Sequence, residues 1–300
     1  MINYFKYILI KPRIYILLFL ISIIGSCSSS NVSDATKPNG DNGKVLSTKQ
    51  IINNADWTVT EVSESIKWKY FHFADLFNSK QSVTLFDINL DDEPEINIQY
   101  VKSGFLRTTD AAVSARAVTA INGSYFNTES GGSTVYLKKD GNVINNERKV
   151  APFKADVAFT FSKDGEVSIV KQPTSGWDKV KADNILASGP LLLYNNKIIE
   201  QLDKSHTSKR HPRTAVCITN DNHLIAAVVD GRANEARGMT TKELAIVMEI
   251  LECADAMNLD GGGSSTAWVK NHGVVNHPSD NKKFDHNGER GVATVLTFGK

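Results

Sequence analysis

Cysteine is scarce in this chain: three in 300 residues, and one of them, Cys27, ends an apolar N-terminal run. Cys217 and Cys253 remain, too few for a disulfide scaffold. Each lies in an apolar segment, so two buried free thiols are expected, although an oxidising compartment would permit a bridge. A surplus of one charge is also missing. Without residues 1–26 there are 31 basic and 33 acidic side chains, a formal charge of −2, and nothing in that balance points to nucleic acid. No apolar run is long enough for a bilayer span; the N-terminal one, residues 14–24, covers eleven residues where about twenty are needed. The seven histidines are scattered without ligand spacing, which argues against a metal centre or a metal-dependent phosphodiesterase. The acidic stretch Asp91, Asp92, Glu93, Glu95 lacks an EF-hand pattern, and Pro94 marks it as a solvated turn. No cofactor is implied.

The ends come next. Lys6, Lys11 and Arg13 precede or open the apolar run, and Gly25, Ser26 and Cys27 follow it, the layout of a signal peptide. Small residues before a cysteine, then SSSN, resemble a bacterial lipoprotein signal in which Cys27 becomes the lipidated first residue. The alternative is an uncleaved anchor, for which the run is short. The expected organisation is a signal peptide at 1–26, a polar tether at 27–45 that cannot bury a core, and a folded domain at 46–300. A membrane-anchored protein of the cell envelope, periplasmic or surface-exposed, follows from that reading.

Within the domain, Ser47 is placed to cap a short helix, and WTVTEVSE, IKWKYFHF, SVTLFDINL and EINIQYV read as successive strands. A helix is expected over 110–116, then the strand AVTAIN. Two Lys-Asp-Gly turns lie between alternating runs and mark hairpins. ILASGPLLLYNNKII gives a strand, a break at Ser188, Gly189 and Pro190, and another hairpin. TAVCIT pairs with HLIAAVVD through a turn at Asn220 to Asn222. Thr240 and Glu243 form a capping box ahead of Leu244, Val247, Met248 and Leu251, one apolar helical face. STAWVKNHGVVN makes a last hairpin, and VATVLTFG a closing strand. Between them runs a polar loop in which His277, His286, Pro278, Asp280, Asn281 and Arg290 are candidates for a pocket rim, although loop polarity alone would place them there.

The chemistry gathers around NLDGGGSSTAW, residues 258–268, which packs Asp260, three glycines and three hydroxyls between a helix and a strand. Consecutive glycines let backbone approach a ligand, and successive N–H groups with Ser264, Ser265 and Thr266 can face an anion. No Gly-Lys-Ser/Thr closes the loop, so it is not a P-loop; a flexible hairpin connection is the ordinary alternative. HLIAAVVD ends in Asp230, Gly231 and Arg232, where a plain Asp–Arg salt bridge is the ordinary alternative. If the strands ending at Asp230 and Asp260 are parallel, both carboxylates emerge at the same sheet edge. Arg213 sits at the entrance of TAVCIT, where a guanidinium suits phosphate or carboxylate.

AINGSYFN, SGPLL, HPRTAVCIT, VVDGR, GMTTKELA and NLDGGGSSTAWV, in that order, resemble the phosphodiester glycosidase family over roughly residues 117–298. The resemblance implies an α+β fold, a mixed β-sheet core with few helices that includes the strand–helix–strand unit at 223–260, with the matched catalytic part at 116–299. It implies hydrolysis of a sugar-1-phosphodiester bond, N-acetylglucosamine-1-phosphodiester-like, in envelope or host glycans. Carried over by motif, Asp230 and Asp260 are the catalytic candidates, while Asn122, Arg213, Arg232, Gly262, Gly263 and Ser264 would bind phosphate or sugar. The chain departs from the family at Ser124 and Tyr125, where Gly and Phe are frequent, and at Cys217, where glycine is common. Those departures bear on pocket shape more than on reaction. The competing class is a lipoprotein that binds a phosphorylated glycan without cleaving it.

Overall fold

Strands covered on both faces need apolar residues at nearly every position, and the centre of the domain is built from two such strands. The computed structural model describes residues 46–146 and 155–300; the signal, Cys27 and the tether fall outside the described residues. Those described belong to one compact unit. In chain order come α1 (Thr48–Asn53), β1 (Thr58–Glu61), β2 (Ile66–Phe73), β3 (Gln81–Asn89), β4 (Glu95–Tyr100), α2 (Thr108–Ser114), β5 (Thr119–Asn122), β6 (Leu137–Lys139) and β7 (Asn142–Asn145). They are followed by β8 (Val157–Phe161), β9 (Val167–Lys171), β10 (Asn184–Ser188), β11 (Leu191–Tyr194), β12 (Lys197–Ile198), α3 (Ser205–Ser208), β13 (Arg213–Thr219) and β14 (His223–Val229). The chain ends with α4 (Thr241–Ile250), β15 (Cys253–Asn258), β16 (Ala267–Val269), β17 (Gly273–Val274) and β18 (Thr294–Gly299).

The largest sheet has eight strands in the order β1-β2-β3-β14-β13-β15-β11-β12, and two five-stranded sheets run β7-β6-β10-β8-β9 and β17-β16-β5-β18-β4. Side-chain alternation along β14 shows how they stack. Leu224, Ala226 and Val228 join a core with Phe86, Phe159, Ile121 and Leu296 from all three sheets. Ile225, Ala227 and Val229 point the other way, into a core with Leu244, Val247 and Met248 of α4 and Ile52 of α1. The eight-stranded sheet is thus a middle layer, with helices on one face and the two smaller sheets on the other. The result is an α+β fold, mostly strand with few helices. Among the described residues no helix is long and apolar enough to cross a membrane.

Several expectations hold in detail. Ser47 closes a capping box with Gln50, and Thr240 does the same with Glu243, each contributing about 1 kcal/mol. The helix expected at 110–116 runs instead over Thr108–Ser114, because Arg116 takes a left-handed φ of 53° and ends it. The strand–helix–strand unit is present, but its strands are not neighbours. β14 and β15 each pair antiparallel with β13, which lies between them. They therefore run in the same direction, and both deliver their C-terminal residues to one edge of the sheet.

The cysteine expectation is corrected. Cys217 and Cys253 form a disulfide with a Cα–Cα distance of 5.8 Å. β13 and β15 are adjacent, and a register shift between Ile218 and Thr219 sets Cys253 opposite Thr219. Two thiols that look independent along the chain are brought together by that pairing.

Candidate active site

The shared sheet edge gathers the motifs, with different consequences for the two aspartates. Asp230 follows β14 and is 1% exposed. Its Oδ1 accepts from Asn276 Nδ2 at 2.9 Å and from the His277 amide at 2.8 Å, while Oδ2 accepts from Ser82 Oγ at 2.6 Å and His277 Nδ1 at 3.0 Å. A carboxylate offers about four acceptor positions, and all four are filled by protein. Arg232 is not among the donors, so the simple Asp–Arg bridge does not form. A left-handed φ of 63° at Arg232 turns the chain away from the strand direction.

Asp260 is different. It lies in a pocket of about 200 Å³ lined by Tyr125, His206, His211, Arg213, Arg232, Asn258 and the 259–262 segment. Its amide donates to the Gly123 carbonyl at 3.1 Å, and its carbonyl accepts from Asn122 Nδ2 at 2.7 Å. The carboxyl itself receives the Gly261 amide at 3.0 Å. Burial raises its pKa to about 6, against the opposing pull of the Ser264 side chain, the Gly261 amide, Arg290 and Arg232. Desolvation therefore outweighs two nearby guanidinium groups.

Asn122 is a buried tie and does not face the pocket. Besides holding Asp260, its Oδ1 accepts from Thr214 Oγ1 at 2.7 Å and from the Thr266 amide at 3.1 Å. It joins β5, β13 and both ends of the glycine loop. Asn258 and the Tyr125 hydroxyl both donate to the Gly189 carbonyl. The break at residues 188–190 therefore packs against the pocket wall and presents that carbonyl to protein. Burial holds the Tyr125 hydroxyl above the ordinary phenol range.

Arg213 is buried at the pocket wall. Nε donates to the Met239 carbonyl at 2.7 Å, and Nη2 donates to the carbonyls of His206 at 2.7 Å and Lys209 at 3.0 Å. Nη1 makes no hydrogen bond among the described residues and is left for the pocket. Burial pulls the Arg213 pKa down to about 10, which keeps it charged at neutral pH. Burial and the neighbouring Arg213 also lower His206 and His211, with Arg232 acting on His211 as well. The pocket thus offers arginine charge and neutral imidazoles around one carboxyl.

The glycine loop works otherwise than its composition promised. Of the six amides from Gly261 to Thr266, five donate within the protein: to Asp260 Oδ1, the Pro212, Gly261 and Gly262 carbonyls, and Asn122 Oδ1. Only the Gly263 amide has no partner among the described residues, so the loop is not a multi-amide anion nest. Its glycines make room. A Cβ on Gly262 would lie 2.8 Å from Arg232 Nη2, and one on Gly263 would lie 2.5 Å from Arg290 Nη2 and 2.6 Å from Asp280 Oδ1. Two arginines pack on consecutive glycines. Ser264 is buried beneath them.

Of the residues gathered here, His206 has no role assigned from the sequence; Tyr125 is marked there only as a departure bearing on pocket shape, and Asp280 and Arg290, which lie beside the pocket over Gly263, only as candidates for its rim. The polar 277–290 loop was the available signal, and the structure fixes it from both sides: His277 stacks on Phe284 with centroids 3.7 Å apart, and Glu289 accepts from the Thr109 amide and hydroxyl at 2.7 and 2.8 Å.

A carboxyl with its pKa raised by burial, beside arginines on an edge of a layered α+β scaffold, marks a candidate functional site. The chain belongs to the phosphodiester glycosidase family, whose model matches residues 115–298. The SPbeta prophage-derived uncharacterized protein YomE of Bacillus subtilis (strain 168) is 28% identical over 193 residues, 61% of this chain and 28% of that protein. N-acetylglucosamine-1-phosphodiester alpha-N-acetylglucosaminidase of Mus musculus is 25% identical over 187 residues, 57% of this chain and 35% of that enzyme. The chain thus spans about a third or less of these relatives. Among solved structures, the zebrafish N-acetylglucosamine-1-phosphodiester alpha-N-acetylglucosaminidase catalytic domain, auto-inhibited by its pro-peptide, matches with a TM-score of 0.64 and 19% identity over 80% of this chain and 85% of that one. A hypothetical protein from Synechocystis matches with a TM-score of 0.66 and 12% identity over 81% and 64% of the two chains. At such identities the structures share the fold alone.

Proposed function

We propose that this protein hydrolyses the glycosidic C1–O bond of a sugar-1-phosphodiester, and that Asp260 is the reacting carboxyl. The observation that carries the reading is Asp260 with its pKa raised to about 6 in a pocket lined by Arg213 and Arg232. The phosphodiester anion would sit against Arg232 and the free Nη1 of Arg213. As the C1–O bond breaks, its electron pair moves onto the phosphate oxygen, where the guanidinium groups stabilise the charge. A phosphate leaving group so held has little need of a strong general acid. Asp260, ionised above about pH 6, stabilises positive charge developing at C1 or attacks it. Water supplies the new oxygen at C1, and its proton passes to a base in the pocket, for which neutral His211 is placed.

Asp230 takes a different part in this reading. With all its acceptor positions filled, it holds His277 and the loop behind it and does not act on substrate. The substrate class is an N-acetylglucosamine-1-phosphodiester-like bond in an envelope or host glycan, and the protein is a lipoprotein tethered through Cys27. Support for the tether comes from the N-terminal sequence; metabolic labelling with a palmitate analogue, lost in Cys27→Ala, tests it. The reaction is tested on a panel of sugar-1-phosphodiesters with time-resolved product analysis. Asp260→Asn should retain the fold and release no sugar. A wild-type protein that saturates with substrate yet releases nothing would establish a binder instead.

A further inference from the structure

Arg290 does not line the Asp260 pocket, but it lies beside it, over Gly263 and close enough to pull the Asp260 pKa down. Its Nε donates to Asp280 Oδ1 at 3.0 Å, and its Nη2 bonds the same oxygen. The pair lies over Gly263, beside Arg232 over Gly262. Both guanidinium groups therefore occupy consecutive steps of one loop, with Asp280 touching the second. Arg232 makes no hydrogen bond among the described residues. Its pKa is lowered by burial and by Arg290, and supported by Asp280 and Asp260. The amide of Gly263, beneath the Arg290–Asp280 pair, is also without a partner among the described residues.

We propose that Arg290, Arg232 and the Gly263 amide form a second anion subsite beside the pocket, for phosphoryl oxygens of the substrate, and that Asp280 fills it in the free protein. This rests on the reading of the pocket as a sugar phosphodiester site. Two features make Asp280 replaceable. First, the ion pair is partly open to solvent, with side-chain exposures of 35% for Arg290 and 39% for Asp280, and pairs of that kind add little stability. Second, Arg290 does not depend on Asp280 for its place, because the preceding Glu289 is bonded to the Thr109 amide and hydroxyl. A phosphoryl group offers more acceptor oxygens than a carboxylate and can engage both guanidinium groups at once. Asp280 accordingly competes with substrate and excludes weaker anions. The glycines at 262 and 263 are required because any side chain there would displace the guanidinium groups.

The experiment is calorimetric titration of the full chain with inorganic phosphate, for wild type and for Asp280→Asn, Arg290→Gln and the double variant, each with a thermal melt. Removing the competing carboxylate should tighten phosphate about fivefold. Arg290→Gln should weaken it, and the double variant should show no gain from losing Asp280. An Asp280→Asn protein that melts like wild type and binds phosphate no more tightly would overturn the subsite, as would a gain that survives in the double variant. Asp280→Ala repeats the measurement should the Asn variant melt early. Phosphate binding that behaves as expected, with no sugar released from any phosphodiester, would sink the hydrolase reading and leave the subsite standing. Turnover without the phosphate effect does the reverse.

Discussion

Asp230 and Asp260 are the same residue at the ends of two strands that run in the same direction in one sheet, and they have opposite surroundings. Asp230 accepts four hydrogen bonds from Ser82, Asn276 and His277. Asp260 accepts the amide of its own successor and is raised to about 6 by burial. A carboxylate saturated by protein donors suits a structural anchor; one with few donors and its pKa raised in a pocket beside arginines is a candidate for chemistry. Position at a sheet edge makes both candidates, and on the proposed reading the donor count separates them.

The comparison can be broken most directly at Asp260. Asp260→Asn should lower kcat about a thousandfold while the melting transition stays cooperative; activity near wild type would remove Asp260 from the mechanism. Next in size is the effect on the anchor. Asp230→Ala leaves Ser82, Asn276 and His277 without their shared acceptor and should cost about 3 kcal/mol of stability, read by denaturant titration. A stable Asp230→Ala protein with activity abolished would reverse the two roles.

Proton linkage sharpens the contrast at smaller amplitude. If Asp260 reacts as the carboxylate, as proposed, kcat/KM should fall about tenfold per pH unit below about 6, and a pH–rate profile that instead falls above 6 would make it the acid. Stability runs the other way. A carboxyl raised in the folded state from 3.8 to about 6 favours folding while protonated, and that contribution is lost as pH rises from about 4 through 6. Asp260→Asn should therefore melt higher than wild type at pH 8 and equally at pH 4. The smallest effect belongs to the connection between the two strands: Thr240→Ala removes the cap of α4 and should cost about 1 kcal/mol, with kcat unchanged.

Much of this was legible along the chain because it is local. A hydroxyl three residues before a glutamate, followed by an apolar stripe, specifies α4 at both levels. The continuous apolar run of HLIAAVV, bounded by turn residues, specifies a strand covered on both faces and hence a central one. The order of the motifs was enough for the family. What escaped is long-range. Ser82 lies 148 residues from Asp230, Asn276 closes a hairpin, and His277 opens a polar loop with no periodicity. The Cys217–Cys253 bridge depends on which strands neighbour one another, which the two apolar segments do not state.

NLDGGGSST shows the division most clearly. Its composition determined by itself that backbone and ligand-like groups come close there, since three glycines carry an entropic cost that a plain turn does not need. Only the tertiary structure decided what comes close. The loop amides turn inward to Pro212, Asn122 and the loop's own carbonyls, while Arg232 and Arg290 lie on the space the missing side chains leave. Local sequence can specify a backbone's freedom; the partners that use it arrive from distant segments, and packing alone selects them.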